Sequence, residues 1–142
     1  MSELPAILQF WQRRRAEPLA LVTVVRTQGS TYRRAGARMV VSAAGESAGM
    51  VSGGCLEKEV IQSARRTVSS GEAQLRSFDT RRLLGCNGTI EVLMEPLLPE
   101  KSHLLLAAEE ALAVRQTLLA ATIYGTSDSA RWPLGSRPLM LR

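Results

Sequence analysis

The chain reads as an α+β protein, a single domain with a mixed β-sheet flanked by helices. Three observations predict this. Short apolar runs rich in β-branched residues recur at Leu19–Arg26, Arg38–Ser42 and Thr89–Glu95, as strands do. Segments starting near Leu4 and Cys55 instead repeat apolar residues every three or four positions, the period of a helix with one buried face. Helices and strands follow one another without strict βαβ alternation, so a doubly wound parallel sheet with a Rossmann topology is not expected.

In order, Leu4, Ile7, Leu8 and Trp11 fit one face of a first helix, with Pro5 in its first turn and the run Arg13-Arg14-Arg15 at its end, where cations complement the helix dipole. Leu19–Arg26 is nearly all apolar, which predicts a central strand buried on both faces. Thr27–Ala37 reads as a polar loop, Arg38–Ser42 as a second strand, and Glu46–Val51 as a short third strand forming a hairpin with it across Ala44-Gly45. A helix from Cys55 to about Ser69 follows. Leu56, Val60, Ala64 and Val68 line its buried face, Ser52 or Gly53 caps it and Ser70-Gly71 stops it. Ala73–Asp79 alternates weakly, Thr80–Gly88 reads as a loop, and Thr89–Glu95 alternates clearly until Pro96 and Pro99 end it. Ser102 opens a helix to about Arg115, Thr117–Tyr124 reads as a strand, and a last short strand falls at Leu139–Leu141. The apolar stretch running into Arg142 predicts a truncated chain.

Composition excludes several function classes. The 142 residues are 45% apolar and 22% charged, which is globular and not disordered stock. Aromatic residues make up 4%, too few for a surface that stacks single-stranded bases. The net charge of +5 suggests an anionic partner without naming it. Lys58 and Lys101 are the only lysines. The remaining basic residues are arginines, which suit bidentate contact with phosphate or carboxylate and also accumulate in GC-rich genomes. Neither a signal peptide nor a membrane-length apolar run is visible, so a cytoplasmic protein with reduced thiols is expected.

Three stretches carry chemistry. Ser52-Gly53-Gly54-Cys55-Leu56-Glu57 sets a thiol at a helix start, where unpaired amides and the dipole favour an anion and a thiolate. The same residues also read as a tight turn followed by a small buried cysteine. Gly29–Gly36 carries Arg33 and Arg34, with Arg38 just beyond, and reads either as a phosphate clamp or as a solvated hairpin loop. Gly85-Cys86-Asn87-Gly88 is a second glycine-flanked cysteine with a possible amide nest. Glu57 and Asp79 are candidate acids or bases, although acidic residues such as Glu57 are routine in a first helical turn, and His103, the only histidine, sits beside Ser102 near a helix start and forms no Cys–His or Ser–His–Asp arrangement. No dinucleotide or Walker fingerprint is present.

Taken together, VTVVRTQGSTYRRAGARMVVSAAG (Val22–Gly45), GMVSGGCLEKEV (Gly49–Val60) and SFDTRRLLGCNGTIEVLMEPL (Ser77–Leu97) resemble the XdhC/CoxI family of xanthine dehydrogenase accessory factors. The likeness is strong over about residues 4–98, with core motifs in 19–98, and matches the family's N-terminal domain; residues 101–142 follow it weakly. Tyr32 and Ala35 stand where the family often has prolines, and Arg81-Arg82 where it often has acids. The resemblance implies a non-enzymatic chaperone that binds the molybdenum cofactor in its molybdopterin form. Such a chaperone assists sulfuration by a cysteine desulfurase and inserts the cofactor into a molybdenum hydroxylase apoenzyme of the xanthine dehydrogenase or CO dehydrogenase type. On that reading Arg33, Arg34, Arg38, Ser52, Gly53, Gly54, Cys55, Glu57, Cys86, Asn87 and Gly88 hold the cofactor, and Cys55 and Cys86 meet its metal on one face of one cleft. A homodimer is possible, and neither nucleic acid nor membrane is an expected partner. The rival readings are a persulfide carrier using Cys55 and, behind it, a basic nucleic-acid-binding module.

A thiolate-favouring position at Cys55 predicts an alkylation rate whose midpoint lies below about 8.5, the pKa of a free thiol. A rate profile against pH with its midpoint at or above that value would identify a buried structural cysteine instead.

Overall fold

The computed structural model describes residues 3–31, 33–54, 56–79, 87–99, 104–137 and 139–141, with the backbone alone at 87 and 139–141. The chain forms two compact units, Met1–Pro99 and Glu100–Arg142. The first contains α1 (Leu4–Gln12), β1 (Leu19–Ser30), β2 (Arg38–Ser42), β3 (Ser47–Gly49), α2 (Glu57–Ser70), β4 (Gln74–Asp79) and β5 (Asn87–Leu97). The second contains α3 (Leu104–Ala113) and the antiparallel pair β6 (Leu119–Ala121) and β7 (Leu139–Leu141).

The α+β class holds. The five strands of the first unit lie in the order β3-β2-β1-β5-β4. The sequence pattern predicts a mixed sheet, but among the described residues every pairing is antiparallel. The reason lies in the one helical crossover. It joins β3 to β4, which run in the same direction but occupy opposite edges, with three strands between them, so no parallel neighbours arise.

Side-chain alternation divides the sheet into two faces. Ala20, Val22 and Val24 of β1, Met39 and Val41 of β2, and Val92 and Met94 of β5 form one buried cluster with Val60, Ala64 and Val68 of α2. The alternate residues Leu19, Leu21, Val40 and Leu93 are also buried, and α1 packs over β2 and β3 with Ile7, Leu8, Phe10 and Trp11 inward. Burial on both faces is why Leu19–Val24 is an unbroken apolar run; each such side chain contributes about 1.5–3 kcal/mol.

Several boundaries differ from those the sequence predicts. β1 continues to Ser30 through polar residues that read as loop, because β5 supplies partners from Thr27↔Ile90 to Ser30↔Asn87. A register shift between Val24 and Arg26 marks where β1 leaves the core. β5 starts at Asn87 and runs through Pro96, its predicted end. Since β4 begins opposite Met94, Pro96 has a strand neighbour on the β1 side only, and a missing N–H is tolerated toward the side that carries no strand. α2 starts at Glu57, two residues later than expected, and ends as predicted at Gly71, which is left-handed at φ 69° and donates its N–H to the Thr67 carbonyl at 2.9 Å. In the second unit the expected strand Thr117–Tyr124 shortens to Leu119–Ala121, and the 122–137 segment closes on itself through Ile123 N–H to Ser136 O at 2.9 Å and Gly135 N–H to Ile123 O at 2.8 Å.

Gly88 lies opposite Gly29 in the central ladder. A Cβ on Gly88 would stand 2.7 Å from the Ser30 carbonyl oxygen and closer still to that of Gln28. Gly88→Ala is therefore expected to cost about 1–3 kcal/mol in urea unfolding. Gly125→Ala, where a Cβ meets nothing within 4 Å, is expected to stay within about 0.5 kcal/mol of wild type. Equal effects of the two changes would show that the Gly88 contact relaxes freely.

Candidate functional site

Strand direction collects the three motif blocks at one end of the sheet. β1, β3 and β4 run toward this end and leave it at Ser30, Gly49 and Asp79; β2 and β5 begin there at Arg38 and Asn87, and α2 begins there at Glu57. Cys55, Cys86, Tyr32, Arg81, Arg82, His103 and the Asn87 side chain lie outside the described residues. The described backbone beside the two cysteines, Gly54 and Leu56 for one and Asn87 for the other, belongs to this end.

The Ser52–Glu57 segment closes on itself. The Ser52 amide and hydroxyl both donate to Glu57 Oε1, at 2.9 and 2.8 Å. Ser52 Oγ in turn accepts from the Leu56 N–H at 2.9 Å. The N-cap residue is Leu56, not Ser52 or Gly53 as expected, and it has no side-chain cap of its own. Ser52 acts one step outside the helix, serving the amide of the N-cap residue itself. Glu57 and Glu59 place negative charge in the first turn. Glu57 Oε1 is thus engaged by Ser52, and its Oε2 is buried with no hydrogen bond to a described residue. Ser52 is buried, and its polar groups are committed to the loop.

Gly53 and Gly54 carry the bend, both left-handed at φ 73° and 107°. Nothing lies within 4 Å of a Cβ built on Gly54, so open space adjoins backbone at this point.

The three arginines separate. Arg33 forms an ion pair with Glu3, thirty residues earlier, a partner no local sequence signal marks. The motif stretches themselves offer Glu57 and Asp79 for such a brace. Arg34 is exposed, with no side-chain hydrogen bond or ion pair to a described residue. Arg38 lies opposite Thr23, so its side chain leaves the sheet on the face away from α2, where it is half-buried. The loop carrying Arg33 and Arg34 is tied back to β1 by Gly36 N–H to Val24 O at 2.7 Å and Val24 N–H to Ala37 O at 2.9 Å.

Sequence reasoning missed a further group. Because β1 extends past the core, Arg26, Gln28, Ser77, Thr89 and Glu91 share the face away from α2 and line a hollow of about 190 Å³. Arg26 and Glu91 face each other across the ladder at 3.9 Å. Alternation at 26, 28, 89 and 91 is the signal that would have found it. Among the described residues, no three His, Cys, Asp or Glu side chains gather as a metal site. No described helix is long and apolar enough to cross a membrane.

The hydroxyl bridge gives a direct test. Ser52→Ala removes the acceptor for Leu56 N–H and one donor to Glu57, and is expected to lower unfolding free energy by about 1–3 kcal/mol. Ser69→Ala, on the exposed side of α2, should change it by under about 0.5 kcal/mol. Denaturant midpoints for the pair decide whether the loop is braced by Ser52.

Comparison with known proteins agrees with this architecture. Residues 12–79 match the profile of the XdhC and CoxI family. A relative from Bacillus subtilis (strain 168), named as a probable subunit of xanthine dehydrogenase, is 36% identical over 93 residues, which cover 60% of this chain and 28% of the relative. The crystal structure of a xanthine dehydrogenase from Bacillus halodurans superposes with a TM-score of 0.74 at 25% identity, covering 99% of this chain and 41% of that one. The chain thus spans well under half the length of either protein. Over residues 12–79, about half of the chain, the first unit is thus similar to the XdhC and CoxI family.

Proposed function

We propose that this chain is the cofactor-handling part of a maturation chaperone for a molybdenum hydroxylase of the xanthine dehydrogenase type, without catalytic turnover of its own. The convergence of the three motif-bearing loops on one end of the antiparallel sheet carries this reading, since segments far apart in sequence are brought to where one ligand could meet them. The match to the XdhC and CoxI family over residues 12–79 and the likeness to two proteins named for xanthine dehydrogenase support it.

The residues at this end fit the molybdenum cofactor by their chemistry. When bound, the cofactor presents a thiophilic metal on a dithiolene and, at its other extremity, a phosphate. Cys55 and Cys86 are the thiols that would meet the metal. Arg34, exposed and uncommitted, would meet the phosphate. The left-handed Gly53-Gly54 turn admits close approach to backbone beside Cys55. Glu57 and Ser52 act on loop shape: their ring holds the glycine turn in one conformation before any ligand arrives. Arg33, engaged with Glu3, anchors the arginine loop. Gly88 keeps the two ladder strands close beneath the site. A cysteine desulfurase and the hydroxylase apoenzyme are the partners this role requires, in a cytoplasm that keeps both thiols reduced.

The purified protein is expected to carry pterin, read as fluorescence after oxidation, together with molybdenum by metal analysis. A protein free of pterin but carrying persulfide on Cys55 would make it a sulfur carrier. Arg34→Ala is expected to weaken cofactor binding by about ten- to hundredfold, the loss of one charge-assisted contact, with an unchanged melting temperature. Arg33→Ala should act on stability, by about 0–1 kcal/mol, because its partner Glu3 belongs to the protein. Unchanged affinity in Arg34→Ala would move the phosphate contact away from this loop.

A further inference from the structure

The end of the first unit remote from the motif loops is built around arginine. α1 closes at Gln12 with Arg13 as its C-cap residue. Arg14 lies 3.9 Å from the centroid of the Phe10 ring and pairs with Glu46 at 2.6 Å. Arg15 lies 4.3 Å from the Trp11 ring centroid. α2 brings Arg65 to the same β2–β3 turn, where its Nε donates to the Ala43 carbonyl at 2.9 Å. Arg66 follows, exposed, and neither it nor Arg13 has a side-chain hydrogen bond or ion pair to a described residue.

Two open hollows flank that turn and share Ala43. One, of about 540 Å³, is lined by Arg13, Arg14 and Glu17 among others. The other, of about 460 Å³, is lined by Arg65, Arg66, Ser69 and Ser70. Of the two carboxylates in the first hollow, Glu46 is already neutralised by Arg14.

The geometry points to an interaction surface at this end that docks an acidic polypeptide segment of a partner protein. Three of the five guanidiniums are held in place, by a ring, a carboxylate or a carbonyl, so ordering them on binding costs little side-chain entropy. Two are uncommitted and available for bidentate carboxylate contact. The seryl hydroxyls of Ser69 and Ser70 add donors beside them. A protein partner fits better than a nucleic acid. Glu17 interrupts the basic surface that a phosphate backbone would need to follow, and aromatics at 4% of the chain offer little for bases to stack on. Docking here leaves the motif end of the sheet open, so a partner held at this surface does not compete with a ligand there.

The test is fluorescence anisotropy of a fluorescein-labelled deca-glutamate peptide titrated with the 142-residue chain at low salt. Arg13→Glu combined with Arg66→Glu is expected to weaken binding by about tenfold or more, and Arg76→Glu, on the exposed part of β4, by about twofold or less. Three results would overturn the inference: no binding by the wild-type chain, an equal loss in Arg76→Glu, or tighter binding of a single-stranded oligonucleotide of matching charge. Protein stripped of pterin gives the same titration, so this inference and the proposed function fail independently.

Discussion

The pairing of β1 with β5 is the interaction on which the first unit depends. It runs from Leu19↔Leu97 to Ser30↔Asn87, while β2 pairs with β1 only as far as Thr23. The backbone of Leu19–Val24 is buried under side chains on both faces, and its amides and carbonyls need strand partners on both sides. β2 and β5 supply them. β4 extends the sheet through β5, and α2 packs on the side chains that β1, β2 and β5 present together.

The same ladder changes character along its length. Up to Val24 it is a core; after the register shift it becomes a projection with polar side chains on the face away from α2. The Gly29·Gly88 pair lets the two backbones stay close there, because a Cβ on Gly88 would strike carbonyl oxygens of β1. The arginine loop returns from this projection to bond at Val24, the last residue of the core segment. Its position follows from these bonds and from the Arg33–Glu3 ion pair. The Ser52–Glu57 ring does the same work at the start of α2, with three hydrogen bonds inside one turn of chain.

The first unit is thereby two-ended. One end gathers glycine turns and motif loops, the other gathers five arginines around the β2–β3 turn. A sheet with antiparallel strands produces this separation directly, since loops alternate between its two ends. The proposed ligand-handling end and the proposed docking end then occupy the same small unit without sharing surface.

Neighbouring residues alone specify the α+β class, the buried central run Leu19–Val24, the α2 face of Leu56, Val60, Ala64 and Val68, and the stop at Gly71. These follow from local periodicity and from a glycine's access to left-handed backbone, both written in short stretches of chain. The likeness of three motif blocks to the XdhC and CoxI family is legible for the same reason, as spacing within such stretches. Long-range packing is what makes polar Thr27–Ser30 a strand, carries β5 through Pro96, and leaves no two strands paired in parallel. It also pairs Arg33 with Glu3 and turns Arg38 to the face away from α2. Each of these depends on which other segment lies alongside. A polar residue becomes strand when a neighbour offers its hydrogen bonds, and an arginine is free or spent according to the carboxylate that folding brings to it.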